Sequence, residues 1–375
     1  MTKTRARDLG FDFPGEPGPK NALTDIPGVL VGHTTLLDER VEDRDSGGGP
    51  VRSGVTAILP RGNETIPQPV WAGQFSLNGN GEMTGVHWIH DAGYFIGPIL
   101  ITNTHSVGIV HHAATRWMIN QYEAALKDTA KDPWQEHIWF MPVVAETYDG
   151  VLNDINGQHI KESHVLAAIN GANNGTPAEG NVGGGTGMIC YEFKGGSGSA
   201  SRQLQVAGST YTVGAQVQAN HGIRDWLTIL GVPVGRELQN DRLFPREHGS
   251  IIVILGTDAP LAPLSLRHLA KRASIGIGRH GTPGGNNSGD IFLAFSTANE
   301  QDLPERAPAR LGFEYLNEGL LDPIYLAAVE AVEEAVINAL IAAESMSTVK
   351  PRGLICRAID HGALCAVMRD YGRLR

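Results

Sequence analysis

Cysteine is scarce in this chain of 375 residues: Cys190, Cys356 and Cys365 are all it has. Three scattered thiols exclude a disulfide framework. Long hydrophobic runs are missing too, and no uninterrupted segment is long enough to cross a bilayer as a helix. The opening stretch "MTKTRARDLGFDFPGEPGPKN" has basic residues but no apolar run behind them, which a secretory signal requires. Positive charge is in deficit, with 30 Lys and Arg against 40 Asp and Glu and a net charge of −10. Without a basic patch, a nucleic-acid footprint is excluded. These absences lead to the expectation of a cytoplasmic enzyme with neither a nucleic acid nor a membrane as partner.

Several catalytic signatures are absent as well. "HWIHD" (87–91) and "HH" (111–112) come without an H-E-x-x-H or paired-Cys spacing, so no metal site is expected. "NVGGGTGM" (181–188) has neither the G-K-[ST] ending of a P-loop nor the G-x-G-x-x-G spacing, and reads as a turn or a pocket wall. No G-x-S-x-G elbow stands out.

Glycine is in excess. Its 47 residues are nearly twice the ordinary share of about 7 %. They are clustered rather than periodic, which points to tight turns and to backbone approached closely by other groups.

The first 25 residues read as an irregular lead. "IPGVLVGHTTL" (26–36) and "GGGPVRSGVTAILP" (47–60) read as a strand hairpin with "DERVEDRDS" at its tip. A strand is expected over 97–102 and a helix over 107–126. "HIWFMPVVAETYDGVLNDI" reads as a strand ending in a polar turn, and "ESHVLAAINGA" as a short helix. Two alternating strands joined by "GGSGSAS" are expected ahead of residue 222. Residues 230–249 read as an exposed linker. Beyond it come an apolar strand, a helix over 265–276, a strand inside "GTPGGNNSGDIFLAFST", and a long helix over 322–343 with Asp322 as N-cap and Pro323 in its first turn. Runs of strands with blocks of helix fit packed sheet and helix layers better than βαβ alternation. No composition break divides the chain into independent domains.

The chemistry gathers at "REHGSIIVILGT" (246–257). A small residue and a hydroxyl, Gly249 and Ser250, stand before a strand built for burial. An N-terminal Ser can act as a nucleophile with its own α-amine as base, because that amine titrates near about 7.7–8.0, far below a Lys side chain at about 10.4. The chain must first be cut between Gly249 and Ser250. Ser250 Oγ can do this by attacking the Gly249 carbonyl, and a glycine there tolerates strained backbone. The competing reading is an ordinary Gly-Ser turn. Ser288 and Asp290 lie two apart ahead of an apolar strand, where they share a face if the strand has begun; taken alone, they are better explained by an Asn-Asn-Ser-Gly turn with ordinary hydrogen bonds. Asn220 ends one strand, and Glu146, Tyr148 and Asp149 end another. An Asn amide and a Tyr hydroxyl suit an oxyanion, and a carboxylate suits a substrate ammonium. Strand-end capping is the alternative for each.

Five segments occur in one order: "AETYDGVLNDI", "EGNVGGGTGM", "VGAQVQANHG", "REHGSIIVILGTDAPL" and "GNNSGDIFLAFST". Together they resemble the DmpA-type serine aminopeptidases, a family with N-terminal-nucleophile behaviour that includes the β-peptidyl aminopeptidases. The resemblance runs from "LTDIPGVLVGHTT" to the C-terminal helix. It implies a single α+β domain, a four-layer αββα sandwich that looks like the N-terminal-nucleophile hydrolases with different strand connectivity. It also implies self-cleavage into chains 1–249 and 250–375, and a homotetramer of the cut unit. Under it Ser250 is the nucleophile, Ser288 and Asp290 assist it, Asn220 donates to the oxyanion, Tyr148 is a second polar group, and Glu146 receives the substrate amine. Many β-peptidyl members carry Glu where Asp290 stands, a side chain one methylene longer. The implied substrates are short peptides and amino-acid amides and esters, D-Ala derivatives among them, with no cofactor. Two alternatives stay open: a related acetyltransferase, whose nucleophile is Thr, and a small-ligand binding protein without chemistry.

Overall fold

The computed structural model describes residues 3–39, 49–129, 139–244, 246–247, 249–304 and 306–374. Strands β1 (Leu30–Asp38) and β2 (Val51–Leu59) pair antiparallel from Leu30–Leu59 to Asp38–Val51, the expected hairpin. Most of its charged tip, residues 40–48, lies outside the described residues. There follow β3 (Val70–Ser76), α1 (Val86–Ala92), β4 (Tyr94–Phe95), β5 (Ile99–Asn103), α2 (Val107–Thr129), β6 (Val143–Thr147) and α3 (Glu162–Asn170). After these come a small hairpin, β7 (Ile189–Cys190) and β8 (Phe193–Lys194), and a long one, β9 (Gly196–Val206) and β10 (Ser209–Asn220). The chain ends with α4 (Val234–Glu237), β11 (Ser250–Thr257), α5 (Pro263–Gly278), β12 (Gly289–Ser296), α6 (Asp322–Ile341) and α7 (His361–Asp370).

Two sheets face each other. One runs β1-β2-β5-β6, the other β4-β3-β12-β11-β10-β9. The pairs β5/β6 and β11/β12 are parallel; the rest are antiparallel. Three apolar layers hold them. Val31, Ile58, Ile101, Ile252 and Leu293 fill the space between the sheets. Residues of α2 and α3 pack on the outer face of the smaller sheet, and those of α5 and α6 on the outer face of the larger. The chain is an αββα sandwich. Strand β11 sits in the middle with both faces covered. Ile251, Val253 and Leu255 point to the helices, and Ile252 and Ile254 to the opposite sheet. That is why its sequence is uniformly apolar rather than alternating.

Four expectations need correction. "GGSGSAS" is no connection: it is the buried first half of β9, and the turn is Ala207-Gly208. A Cβ on Gly198 would come within 2.1 Å of the Ala335 carbonyl of α6, so small residues there let a helix backbone lie directly on the strand. Asp322 is the first helical residue, not the cap, which is Leu321. The expected linker is partly structure. It contains α4, buries Val234 and Gly235, and pins the Leu243 and Phe244 N–H groups to the buried Glu192 carboxylate. The N-terminal lead is anchored: Arg5 pairs with Glu179 at 2.8 Å, and Arg7 with the fully buried Glu334 of α6 at 2.9 Å. Among the described residues no helix is long and apolar enough to cross a membrane.

Candidate active site

Ser250 is the first residue of β11 and is buried. Its hydroxyl donates to the Gly249 carbonyl at 2.8 Å and accepts from the Gly289 N–H at 3.1 Å. A side chain is excluded at Gly249 by close approach: a Cβ would come within 1.9 Å of the Asn220 carbonyl.

Asn220 ends β10 directly opposite Ser250 in the antiparallel register. Its Oδ1 accepts from the Ile189 N–H at 2.7 Å, and its Nδ2 donates to the Tyr148 carbonyl at 3.1 Å. Both ends of the amide are fixed. Tyr148 gives Asn220 its backbone carbonyl, while its half-exposed ring forms part of a cavity wall.

On the other side of Ser250, β12 runs parallel and begins at Gly289. The Ser288 hydroxyl donates to Asp290 Oδ1 at 2.5 Å. Both side chains are buried. The aspartate is therefore long enough to reach its serine, and it is braced by a residue the sequence reading passed over. Asn78 Nδ2 donates to Asp290 Oδ2 at 3.1 Å, and Asn78 Oδ1 accepts from the Asp290 N–H at 2.6 Å. Burial pushes the Asp290 carboxyl above its ordinary value, against the pull of Ser288, Asn78 and the Ile251 N–H.

Glu146, at the end of β6, is also buried. Its Oε1 accepts from the Glu82 N–H at 3.0 Å, and its Oε2 accepts from the Thr104 hydroxyl. Burial raises its pKa, and these donors pull the other way. The sequence reading passed over Thr104 and Glu82.

Glu82, Glu146, Tyr148, Phe244, Ser250 and Asn287 are among the residues that line one cavity of about 740 Å³. No Lys, Arg or His lines it among the described residues. The cavity brings together a hydroxyl and a desolvated carboxylate, which can seat a substrate ammonium near an attackable carbonyl; Asn220, Ser288 and Asp290 flank Ser250 but are not among the residues that line it. A second cavity, of about 800 Å³ between Arg224, Glu237, Arg357 and Asp360, contains none of the expected residues. The "GGGTG" segment is a buried turn whose Gly184 N–H donates to Thr56 at 3.2 Å. It packs inside the sandwich. Among the described residues no three His, Cys, Asp or Glu side chains cluster to hold a metal ion.

Comparison with known proteins gives one consistent picture. A model of Peptidase family S58 matches residues 21–353. The chain is similar to the β-peptidyl aminopeptidase BapA of Sphingosinicella microcystinivorans, with 47 % identity over 99 % of this chain and 93 % of that one. Its counterpart in Sphingosinicella xenopeptidilytica is 40 % identical over 97 % and 91 %. Among solved structures, the L-aminopeptidase D-Ala-esterase/amidase of Ochrobactrum anthropi superposes over 100 % of both chains, with a TM-score of 0.93 and 54 % identity. It is described as a prototype for the serine aminopeptidases and a new variant among the Ntn-hydrolase fold. A β-aminopeptidase from a Burkholderia species superposes over 98 % of this chain and 99 % of that one, with a TM-score of 0.85 and 43 % identity.

Proposed function

The chain belongs to peptidase family S58, and from that membership we propose that it is a self-processing N-terminal serine aminopeptidase. It releases an unblocked N-terminal residue from short peptides and also acts on amino-acid amides and esters, D-Ala derivatives included. The observation that carries this reading is the place of Ser250: first in its strand, opposite Asn220, in a cavity shared with Glu146.

Processing comes first. Ser250 Oγ attacks the Gly249 carbonyl carbon. The C–N bond breaks, the nitrogen takes a proton, and an ester joins Gly249 to the hydroxyl. Water then hydrolyses that ester, leaving a Gly249 carboxylate and a free Ser250 amine. The product is an α chain, 1–249, and a β chain, 250–375, held in one domain.

Turnover repeats the chemistry on a substrate. Glu146 holds the substrate ammonium by charge-assisted hydrogen bonds. The Ser250 amine accepts the hydroxyl proton as Oγ attacks the carbonyl. An amide nitrogen carries two hydrogens: one from Asn220 is spent on Tyr148, and the other serves the oxyanion. Ser288 and Asp290, beside the start of β11, tune the amine. The scissile C–N or C–O bond then breaks, the leaving amine or alcohol takes the proton from the Ser250 ammonium, and water hydrolyses the remaining acyl ester to free the acid and the hydroxyl. No metal or cofactor enters. The working unit is a homotetramer of cut chains in the cytoplasm.

Intact mass under denaturing conditions tests this. Wild type gives two species divided after Gly249, and Ser250→Ala gives one inactive full-length species. A cut, active Ser250→Ala protein overturns the reading. Membership in a peptidase family and Ser rather than Thr at 250 both weigh against the acetyltransferase alternative. Turnover of an amino-acid nitroanilide separates the proposal from a binding protein.

A further inference from the structure

The segment leading into Ser250 is held by a contact that no step above uses. Glu247, three residues before the nucleophile, is buried. Its Oε1 accepts from the Gly222 N–H at 2.8 Å, two residues beyond Asn220. Its Oε2 lies against the backbone of Gly285, in the turn that leads to Ser288 and Asp290. One carboxylate thus spans the two elements that carry the rest of the site. On one side is the extension of β10, with Asn220. On the other is the approach to β12, with Ser288 and Asp290. Gly249 rests on the Asn220 carbonyl between them.

Upstream, the chain is fixed at Leu243 and Phe244, whose N–H groups donate to Glu192 Oε2 at 2.7 and 3.1 Å. Between that anchor and Gly249, the Glu247 side chain makes the only contact of this kind among the described residues. An intramolecular attack depends on holding the reacting atoms close and aligned, and an error of an ångström costs orders of magnitude in rate.

Resting on the self-processing reading above, we infer that Glu247 is a positioning residue for self-cleavage: it clamps the peptide upstream of Gly249 against Gly222 so that the Gly249 carbonyl faces Ser250 Oγ. The clamp works through the acceptor oxygen, not through proton transfer. Gln at this position keeps that oxygen, Asp holds it about one methylene short of Gly222, and Ala has none.

The test is a time course of cutting during cell-free translation, read on denaturing gels. Glu247→Gln is expected to cut within about twofold of wild type, and Glu247→Ala at least tenfold more slowly. Glu247→Asp, which keeps charge and hydrophilicity, falls between and carries the test if the Ala variant does not fold. Melting of the same changes in a Ser250→Ala background shows whether the effect is local, with slow cutting expected at a preserved melting temperature. Wild-type cutting rates for both Glu247→Ala and Glu247→Asp overturn the inference, and so does a Gln variant as slow as Ala. Slowing matched by a general loss of melting temperature in all three variants also overturns it. A wild-type chain that never cuts overturns the parent reading, and this inference with it; a wild-type chain that cuts leaves the variants to judge the clamp alone.

Discussion

Asn220 and Ser250 face each other across an antiparallel pair at the matched ends of β10 and β11. Neither can shift without sliding a strand, and a one-residue slip would turn every side chain of β11 to the other core. The proposed oxyanion donor and the proposed nucleophile are therefore set by the same register that packs the protein.

Replacing Asn220 by Ala removes the donor and frees both the Ile189 N–H and the Tyr148 carbonyl. The expected fall in kcat is about 10²- to 10³-fold. Steady-state kinetics on an amino-acid nitroanilide measures it. Unchanged kcat in a cut, folded variant rules out the oxyanion role.

Glu146→Gln keeps the shape of the side chain and its contacts with Thr104 and the Glu82 N–H but loses the charge. KM for free-amine substrates is expected to rise roughly 10- to 100-fold, since a hydrogen bond to a charged group contributes about 1.5–3 kcal/mol. The pH profile carries the same signature. Burial raises the Glu146 pKa above the ordinary carboxylate value, so wild-type KM climbs as pH falls through that raised value, while the KM of the variant stays flat there. A variant with wild-type KM contradicts the ammonium role.

Asn78→Ala removes two hydrogen bonds from Asp290, one to its carboxylate and one from its backbone. The lost side-chain bond had lowered the Asp290 pKa. Without it the carboxyl stays protonated to higher pH, so the acid limb of kcat moves upward and kcat at neutral pH falls roughly tenfold, the equivalent of about 1.4 kcal/mol. A pH series on the purified variant decides. A profile that superposes on wild type means Asp290 needs no such brace.

Asp149 offers a test of stability apart from catalysis. It is buried, accepts from Ser53 at 2.7 Å and from Asn153 at 3.0 Å, and desolvation pushes its pKa up to about 6. The folded chain binds this proton more tightly than the unfolded one. The contribution is thus fully present below the unfolded value near about 3.9 and is lost as pH rises through about 6, on the order of 3 kcal/mol in all. In Asp149→Asn that slope between pH 4 and 6 disappears from denaturant titrations. An unchanged slope means Asp149 is already ionised in the folded state at low pH.

Much of the frame was legible in the sequence. The β1/β2 hairpin, the all-apolar β11 and the helices at 107, 263 and 322 follow from hydrophobic pattern and turn residues. The first half of β9 was not, because small residues usually mark loops, and only the packing of α6 on Gly198 explains them. For the site, Ser250, Asn220 and Glu146 stand at strand ends, where side chains escape the core, and the ordered motifs pointed to them. Asn78, Thr104 and Glu82 act through contacts 42 to 212 residues away in sequence. No local pattern encodes such a partner.

Under the proposed self-cleavage, the seam between β10 and β11 has a consequence for how the processed protein is lost. Before cutting, the two strands belong to one chain, and refolding is a first-order event. Afterwards the same ladder joins two molecules, with Arg7 and Arg202 of one gripping Glu334 of the other. Native, the pair loses little, since the interface is the centre of a sheet. Once melted, the halves must find each other by diffusion, so recovery depends on concentration. The proposed cut thus converts a chain that refolds alone into a pair whose recovery requires both halves to meet.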